Sequence, residues 1–350
     1  MTYAKSLAGL AVAAVLCAGG AAAQANLTAE TAAATGVPGN TVLALGEFAA
    51  AAGVADIQVA TGQTLTNSLQ NTAEGKTDVT ASPFILPFLL QRGAGPYAKL
   101  GPEAGAELAD RLAVLYTYRF GVFTLSAYDS SRVKGWDDLA GATVYNGPPR
   151  GAALTNARGV AKIATGLDDG DGYSGVQVNW DQGVKTMTDG TADAFILPSS
   201  FPDGRHTRAV AAGRMTMWSY PRAIFESEAA QKYMKAPGSG RVEMPLADAV
   251  QPEGVTVVSE DDTFRGIATV GGEIVRKDMD EDLAYRLTKA VLDNLEGVRA
   301  RAPFMRNIGL GEIADTSATG MCGPMPLKYH PGAIRAWEEA GYTVPDCARP

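Results

Sequence analysis

Apolar and polar positions alternate along the chain with two periods, one typical of helices and one typical of strands. The pattern predicts a helix over 41–52 and then a strand over 57–61, where β-branched residues concentrate. The same order recurs, with helices predicted over 101–111, 151–165 and 180–190 and strands over 78–81, 175–178 and 193–197. Strands that alternate with helices indicate parallel sheets covered on both faces. The predicted fold class is therefore α/β.

Extended runs interrupt this alternation and divide the chain. The segments "LAVLYTY" (112–118) and "GVFTLSAY" (121–128) predict two successive strands, and further extended runs lie near 215–222 and at "FRGIATVGGEIVRK" (264–277). A chain of 350 residues is long enough to divide into two domains with separate cores. We expect a discontinuous first lobe over 26–122 and 223–350, a second lobe over 123–222, and a cleft between them.

The first 25 residues, "MTYAKSLAGLAVAAVLCAGGAAAQA", have the pattern of a secretory signal peptide. A single early lysine precedes a short apolar run, and small residues follow in the A-x-A arrangement of a cleavage site. The apolar run is short for a membrane span. Acylation at Cys17 is the alternative, but bulky Leu16 occupies the position where a lipobox has a small residue. We expect an exported, periplasmic protein.

Charge and cysteine content narrow the function classes. The formal net charge is −8, and removal of Lys5 with the leader makes it −9, which disfavours nucleic acid as a partner. After the leader, only Cys322 and Cys347 remain, and an even pair in an exported chain predicts one structural disulfide. Two free thiols are the alternative.

Polar loops follow the predicted strands, at the edge where open α/β sheets bind ligands. The loops are "GNT" (39–41), "TGQTLTN" (61–67), "ASP" (81–83), "NGPPRGA" (146–152) and "LPSSF" (197–201). They supply hydroxyls, amides and backbone N–H groups, and Arg150 adds a fixed positive charge at the start of a predicted helix. Because helix N-termini and guanidinium groups both attract anions, Arg150 is a candidate anion ligand. The alternatives are that Arg150 points to solvent or pairs with an acid across the lobes.

Residues for catalysis are scarce. The chain has two histidines and no G-x-S-x-G, H-E-x-x-H or C-x-x-C motif. His206 is predicted on a surface loop, and His330 is predicted to cap or brace the last helix. The acidic segment "GLDDGDGYSG" (166–175) fails the EF-hand pattern, so we expect no metal site and no cofactor.

Trp218 either packs in the core or forms a wall of the cleft. Export, two lobes, polar loops and missing catalytic groups together predict a binding protein, with a secreted enzyme as the alternative.

Several segments resemble the TAXI-type solute receptors of TRAP transporters. "GIATVGGEIVRKDMDEDLAYRLTKAVLDN" (266–294) is similar to a family strand with the pattern T-V-G-V and the helix after it. "HPGAIRAWEEAG" (330–341) is similar to the near-terminal H-P-G-A-x-R motif of the family. Weaker similarities cover 60–82, 135–167 and 187–200. These segments occur in the order of the family and span most of the chain.

The resemblance implies a type II-like periplasmic binding protein that is not an enzyme. Such a receptor delivers a small organic anion, of a carboxylate or sulfonate class, to an ion-driven membrane permease, and it acts as a monomer. The receptor of an ABC importer is the alternative. By position, the resemblance assigns the following ligand-binding residues: Asn40, Thr41, Thr64, Asn67, Ser82, Gly147, Arg150, Gly151, Ala152, Pro198 and Ser199. Trp218 is added as a possible cleft wall.

The chain departs from the family pattern at the fourth loop. Where the family commonly has Gly-Ser-Gly-Thr, this chain has Pro149-Arg150-Gly151-Ala152. Two small hydrogen-bonding side chains are replaced, and a guanidinium is gained. In the first loop, Asn40 and Val42 stand in place of the usual glycine and tyrosine. We therefore expect a pocket with altered specificity, in which a planar guanidinium favours a carboxylate, sulfonate or phosphonate.

Overall fold

The computed structural model describes residues 24–34, 36–306, 308–309, 321–322 and 325–350. The predicted signal peptide and Cys17 lie outside these residues, except for the last two positions of the leader. The described strands are β1 (Ala25–Glu30), β2 (Ala55–Ala60), β3 (Val79–Pro83), β4 (Leu112–Tyr128), β5 (Thr143–Tyr145), β6 (Ser174–Val176), β7 (Ala194–Ser199), β8 (Met215–Trp218), β9 (Ser239–Pro245), β10 (Val255–Val258) and β11 (Thr263–Arg276).

The described helices alternate with these strands as the sequence pattern predicts. They are α1 (Val37–Ala51), α2 (Leu65–Ala73), α3 (Ile85–Gln91), α4 (Gly101–Asp110), α5 (Ala152–Thr165), α6 (Trp180–Thr188), α7 (Gly204–Ala209), α8 (Arg222–Phe225), α9 (Glu228–Met234), α10 (Glu281–Leu292), α11 (Leu295–Ala300) and α12 (Pro331–Glu339). Within the described ranges, no helix combines the length and apolar character needed to cross a membrane.

The strands form a mixed sheet in the order β2-β1-β3-β11-β4-β7-β5-β6. Strands β1, β2 and β3 pair in parallel at one end, and β5, β6 and β7 pair in parallel at the other. Between these groups, β11 runs antiparallel to both β3 and β4, and β4 runs antiparallel to β7. The predicted α/β class is confirmed, whereas the expectation of purely parallel pairing is wrong at the centre of the sheet.

The long strands β4 and β11 connect two hydrophobic cores. Strand β4 spans 17 residues without a break, where the sequence predicts two separate strands. Its first half contributes Val114 and Leu115 to a core with α1, α2, α10 and α12, and its second half contributes Phe123 and Leu125 to a core with α5 and β7. The fold is thus two-lobed, and the two lobes share β4 and β11.

A β-bulge marks the middle of this shared pair. Thr269 lies opposite Gly121, and the next residue, Val270, lies opposite Arg119, so Phe120 is the unpaired extra residue of β4. A bulge redirects the side chain of the inserted residue and increases the local twist. Phe120 stacks on Tyr118 with ring centroids 4.9 Å apart, and it faces the space between the lobes.

The C-terminal segment packs against the first core. A disulfide joins Cys322 to Cys347, as the cysteine count predicts, with the two Cα atoms 5.1 Å apart. His330 caps α12, because its Nδ1 accepts a hydrogen bond from the backbone N–H of Gly332 and its ring also contacts the Met279 carbonyl. The structural role predicted for His330 is therefore confirmed.

A carboxyl group is buried in the first lobe at Glu273 of β11. Glu273 has no exposed surface, and its carboxyl oxygens find no well-aligned hydrogen-bond partner among the described residues. Burial raises the pKa of Glu273 to about 8, and the nearby hydroxyls of Thr41 and Tyr118 offset this rise only in part. Glu273 is therefore neutral in the folded protein at pH 7.

We expect Glu273 to make the folded state less stable as pH rises. Between pH 4.5 and about 8, an unfolded chain ionises this carboxyl while the folded chain keeps it protonated. The loss is at most about 1.4 kcal/mol per pH unit. Glu273→Gln should remove this slope, so its advantage in melting temperature over the wild type should grow from pH 5 to pH 8.

Glu253→Gln, at an exposed turn, is the control and should follow the wild-type pH profile. Parallel pH profiles for Glu273→Gln and the wild type would show that Glu273 is ionised in the folded protein.

Candidate functional site

A cleft of about 580 Å³ lies between the two cores, beside the shared strands β4 and β11. One wall comes from the first lobe, through the segments that contain Val37, Thr64 and Leu86. The other wall comes from the second lobe, through the segments that contain Arg150 and Trp180. A cavity of this volume matches the usual size of a small-molecule site.

Helices α1, α2, α5 and α6, two from each lobe, begin at the cleft, as do the shorter helices α3 and α7. The first residues of α1 and α2 line one wall, and those of α5 and α6 line the other. In the described structure, none of these four N-termini is capped by the side chain of its N-cap residue. Free N–H groups and the helix dipole give each N-terminus a partial positive charge. The cleft is therefore a favourable environment for an anion.

The starts of α2 and α5 face each other closely. A methyl group placed at Gly151, the N-cap of α5, would lie 3.5 Å from Oγ1 of Thr66 in the first turn of α2. The backbone of Gly151 has φ = 101°, a left-handed conformation that favours glycine. A contact of 3.5 Å is an ordinary one, so the positive φ rather than the spacing between the lobes accounts for glycine at this position.

Three arginines line the cleft: Arg150, Arg205 and Arg208. Arg150 and Arg208 are exposed, and neither forms an ion pair within the described part of the chain. The two acidic residues of the lining are Asp181, which is exposed, and Asp203, which is buried. Two positive charges are therefore available at the wall of the second lobe.

Arg205 is held in place by Asp203. Nε and Nη2 of Arg205 donate to the two carboxylate oxygens of Asp203 over 3.1 and 2.7 Å, and Nη2 also donates to the Pro198 carbonyl. Burial disfavours an ionised Asp203, but the Arg205 guanidinium outweighs that effect and holds the pKa of the carboxyl well below its usual range. This pair is neutral as a unit and gives the second wall a rigid guanidinium.

Trp180 stands at the mouth of the cleft. It is 36% exposed, and the guanidinium carbon of Arg205 lies 5.5 Å from its ring centroid. The indole packs against the loop that precedes α5, since a methyl group at Gly147 would lie 3.6 Å from the ring. A cation near an aromatic face in this geometry fixes the position of the ring.

Apolar side chains line the cleft beside the shared strands. Phe120 and Phe123 come from β4, Leu86 from α3, and Phe304 from the segment after α11. These groups offer surface for the hydrocarbon part of a ligand, while the charged and N–H groups lie on the helix starts. The cleft is suited to a molecule with an anionic group and an apolar body.

Some of the residues predicted from sequence line this cleft: Thr64, Arg150, Gly151, Ala152 and Pro198. Gly147 is buried just outside the lining, and its carbonyl accepts a hydrogen bond from the Val178 N–H over 3.1 Å. That these residues bind a ligand stays a prediction.

Two predicted residues of the first loop are buried inside α1. Asn40 donates its side-chain N–H groups to the carbonyls of Ala34 and Gly36 and so ties down the segment before the helix. Thr41 Oγ1 hydrogen-bonds to the Tyr118 hydroxyl over 2.7 Å. The helix begins at Val37, four residues earlier than predicted, so both side chains lie in its first turns and do not line the cleft.

Four further predicted residues also lie outside the lining. Asn67 is exposed on α2, and Ser82 is fully buried in β3, where the neighbouring strands cover it. Ser199 hydrogen-bonds to Thr124 Oγ1 over 2.8 Å and lines a neighbouring cavity. Trp218 packs against the second core, which is the structural alternative foreseen for it.

Sequence reasoning missed Asp203, Arg205, Trp180 and Asn156, which all line the cleft. The segment "PDGR" (202–205) contains a sequence signal for a helix start, because Asp is a preferred N-cap residue. Asp203 does cap α7, where its carboxylate accepts a hydrogen bond from the Arg205 N–H over 2.8 Å.

His206 is also buried, in α7, so the predicted surface loop is wrong. Its Nε2 lies 3.1 Å from Ser126 Oγ, and burial lowers the pKa of His206 to about 4.

The acidic segment 166–175 is part of the scaffold. Asp169 accepts hydrogen bonds from Arg158 and from the Gly175 N–H, and it is also contacted by the Asn146 amide. Across the described residues, no group of three or more potential ligand side chains is arranged to hold a metal ion.

The geometry defines a class: a two-lobed α/β protein with a cleft of small-molecule size between its lobes. The sequence profile of the NMT1-like family matches residues 34–341, so the chain belongs to the NMT1-like family of periplasmic binding proteins. No curated protein sequence matches the chain.

Solved structures give further similarity. A protein from Bordetella bronchiseptica RB50 aligns over 91% of this chain and 99% of its own, with a TM-score of 0.52 and 13% identity. A marine metagenome TRAP solute-binding protein specific for pyroglutamate aligns over 91% of each chain, with a TM-score of 0.44 and 15% identity. The periplasmic sulfonate-binding protein SsuA from Methylobacillus flagellatus KT, part of a putative sulfonate ABC transporter, aligns over 80% of this chain and 70% of its own, with a TM-score of 0.43 and 15% identity.

We expect Asp203→Asn to lower the free energy of unfolding by roughly 3 kcal/mol, because removing one charge of a buried pair leaves the other unpaired. Asp181→Asn, which changes an exposed acid of the same cleft, should lower it by less than about 0.5 kcal/mol. Urea unfolding of both variants measures the difference. Equal stability of the two variants would mean that Arg205 does not depend on Asp203.

Proposed function

We propose that the protein is a periplasmic receptor that binds a small organic anion in this cleft and delivers it to a membrane permease. The observation that carries the proposal is the meeting of Arg150, Arg208 and four helix N-termini at one cavity. Two of these positive elements belong to the first lobe and the others to the second. An anion bound between them would attract both lobes and favour a closed state.

The charges of the lining support an anion over a cation. Arg205 and Asp203 compensate each other, which leaves Arg150 and Arg208 against the single exposed acid Asp181. Helix dipoles add to the positive side. A guanidinium binds planar oxyanions with two parallel hydrogen bonds, so carboxylates and sulfonates are the ligand classes that fit best.

A secreted enzyme on the same scaffold was the alternative from another class. Asp203, His206 and Ser126 do form a sequence of contacts that resembles a hydrolase triad, with Ser126 Oγ 3.1 Å from His206 Nε2. Yet His206 Nδ1 lies 3.9 Å from Asp203, and Ser126 is only 2% exposed and outside the cleft lining. A nucleophile that substrate cannot reach does not support catalysis. We therefore propose a receptor without enzymatic activity.

The transporter class is proposed from the resemblance of the chain to TAXI-type receptors. The solved structures similar to the chain include a TRAP solute-binding protein specific for pyroglutamate, another with bound orotic acid, and a sulfonate-binding protein of a putative ABC transporter. We propose an ion-driven TRAP permease as the partner, export to the periplasm, and a monomeric receptor. An ABC importer is the second candidate.

We also propose how the two lobes divide. Phe225, Ala230 and Met234 pack in the second core, although the sequence expectation assigns residues from 223 onward to the first lobe. Ile267 lies in the second core and Ile274 in the first. The return to the first lobe is therefore best placed within β11, and the outward crossing within β4, near the bulge at Phe120.

We expect a thermal-shift screen of the purified protein to respond to organic carboxylates or sulfonates and not to sugars or amines. A ligand at 100 times its Kd adds about 2.7 kcal/mol, which corresponds to a rise in melting temperature of roughly 5–10 °C. Arg150→Ala and Arg208→Ala should each weaken the best acid by at least about tenfold, because hydrogen bonds to charged groups contribute roughly 1.5–3 kcal/mol.

Lys162→Ala is the matched control, since it removes a positive charge from the last turn of α5, outside the cleft lining, where Lys162 pairs with Asp168. Its affinity should equal that of the wild type. Equal losses of affinity in Lys162→Ala and Arg150→Ala would show that Arg150 acts only through its nonspecific positive charge and does not contact the ligand. No response to any acid would overturn the anion-receptor proposal. Uptake into native membrane vesicles driven by an ion gradient without ATP would support the TRAP class, and dependence on ATP would favour the ABC importer.

A further inference from the structure

A chain of hydrogen bonds runs from the second lobe to the shared strands through Asn156 of α5. The Tyr233 hydroxyl lies 3.1 Å from Asn156 Oδ1, and Asn156 Nδ2 lies 2.9 Å from Thr269 Oγ1. Thr269 Oγ1 in turn lies 3.3 Å from the carbonyl oxygen of Gly238. Asn156 is 5% exposed, and both Asn156 and Thr269 line the cleft, whereas Tyr233 does not.

The direction of this chain follows from its last member. The Gly238 carbonyl can only accept, so the Thr269 hydroxyl donates to it and must accept from Asn156. The atom of Asn156 that faces Thr269 is therefore the amide nitrogen, and the amide oxygen faces Tyr233, which donates. The orientation of the amide is fixed by hydrogen-bond chemistry rather than by a choice between two similar placements.

The sequence makes room for this arrangement. Gly159, three residues after Asn156 on the same helix, has no side chain, and a methyl group there would lie 2.5 Å from the Tyr233 hydroxyl. Glycine inside a helix costs about 1 kcal/mol relative to alanine, so its presence needs a packing reason. That reason is the close approach of the Tyr233 ring to α5.

We propose that Asn156 presents its second amide N–H to the cleft and that Tyr233 is the positioning residue that holds it so. This inference rests on the receptor function proposed above and names a feature of its ligand. Asn156 lies four residues after Ala152, about 6 Å along the axis of α5. The ligand therefore carries an anionic group that meets the start of α5 and, about one helical turn further along, an oxygen that accepts a hydrogen bond from Asn156. A ligand with a hydrogen-bond donor in place of that oxygen is rejected, because it would face the N–H of Asn156.

Two probes of equal chain length test the inference. Glutarate carries a carboxylate at both ends, and 5-aminopentanoate, which also has five carbons, carries an aminomethyl group in place of one carboxylate and so ends in an ammonium group. With ¹⁵N-labelled full-length protein, glutarate should shift the Asn156 side-chain NH₂ signals, assigned by their loss in Asn156→Asp. Glutarate should also bind at least tenfold more tightly than 5-aminopentanoate.

The variants separate positioning from general stability. Tyr233→Phe should reduce the preference for glutarate at least fivefold, because the amide oxygen loses its donor and the Thr269 hydroxyl can turn from the Gly238 carbonyl to donate to a rotated amide. Tyr220→Phe is the matched control: the Tyr220 hydroxyl donates over 2.7 Å to the Val160 carbonyl of the same helix and has no link to Asn156. Its preference should stay at the wild-type value. Asn156→Asp should reverse the preference toward 5-aminopentanoate, a gain that an unfolded protein cannot produce.

The outcomes distinguish this inference from the receptor proposal. If glutarate shifts the backbone signals of Gly151 and Ala152 but not the side chain of Asn156, the receptor proposal stands and Asn156 is not a ligand donor. If Asn156 responds but Tyr233→Phe keeps the full preference, Tyr233 has no positioning role. If glutarate shifts no signal from the cleft while other acids do, the assigned spacing is wrong. If no acid shifts any of them, the receptor proposal fails and this inference fails with it.

Discussion

The antiparallel pairing of β4 with β11 is the constraint on which the rest of the structure depends. These two strands pair with each other from Ile267–Phe123 to Arg276–Leu112, and each strand passes from one core into the other. The two lobes consequently share a backbone ladder rather than only a flexible linker. Any movement of one lobe against the other has to bend or twist this ladder, and the bulge at Phe120 is one of two places where its register is already interrupted.

The same pairing explains why one cleft collects so many helix starts. Strands β1, β2 and β3 of the first lobe pair in parallel, as do β5, β6 and β7 of the second, so within each group the carboxyl ends meet at one edge of the sheet. The helices that follow β1, β2, β5 and β6 then begin at that edge. Because the two parallel groups lie on either side of β11 and β4, both edges border the cleft. The positive potential of the cleft is therefore a consequence of topology, to which Arg150 and Arg208 add specific side chains.

Local features of the chain could be predicted from sequence, and features that depend on distant pairing could not. The helix over 151–165 and the position of Arg150 at its start follow from periodicity and from the glycine before the helix. The union of two predicted strands into one β4 could not be foreseen, because only the partner strand β11 shows that the ladder continues through Arg119 and past the unpaired Phe120. Asn156 likewise resembles an ordinary polar helix residue until Tyr233 and Thr269, far away in sequence, are brought to it.

In the proposed receptor, the exposed arginines attract an anion to the cleft, and Asn156 discriminates between different anions. Arg150 and Arg208 are exposed, so their effect on an approaching anion is long-ranged, weakened by salt and tolerant of ligand shape. Asn156 is buried and held by partners on both sides, so its N–H has one direction and a high cost if left unmatched. When the cleft is closed, water is excluded from a contact with the buried Asn156 but not from contacts with the exposed Arg150 and Arg208. Discrimination between similar acids should therefore arise at Asn156, after the arginines have already brought an anion into the cleft.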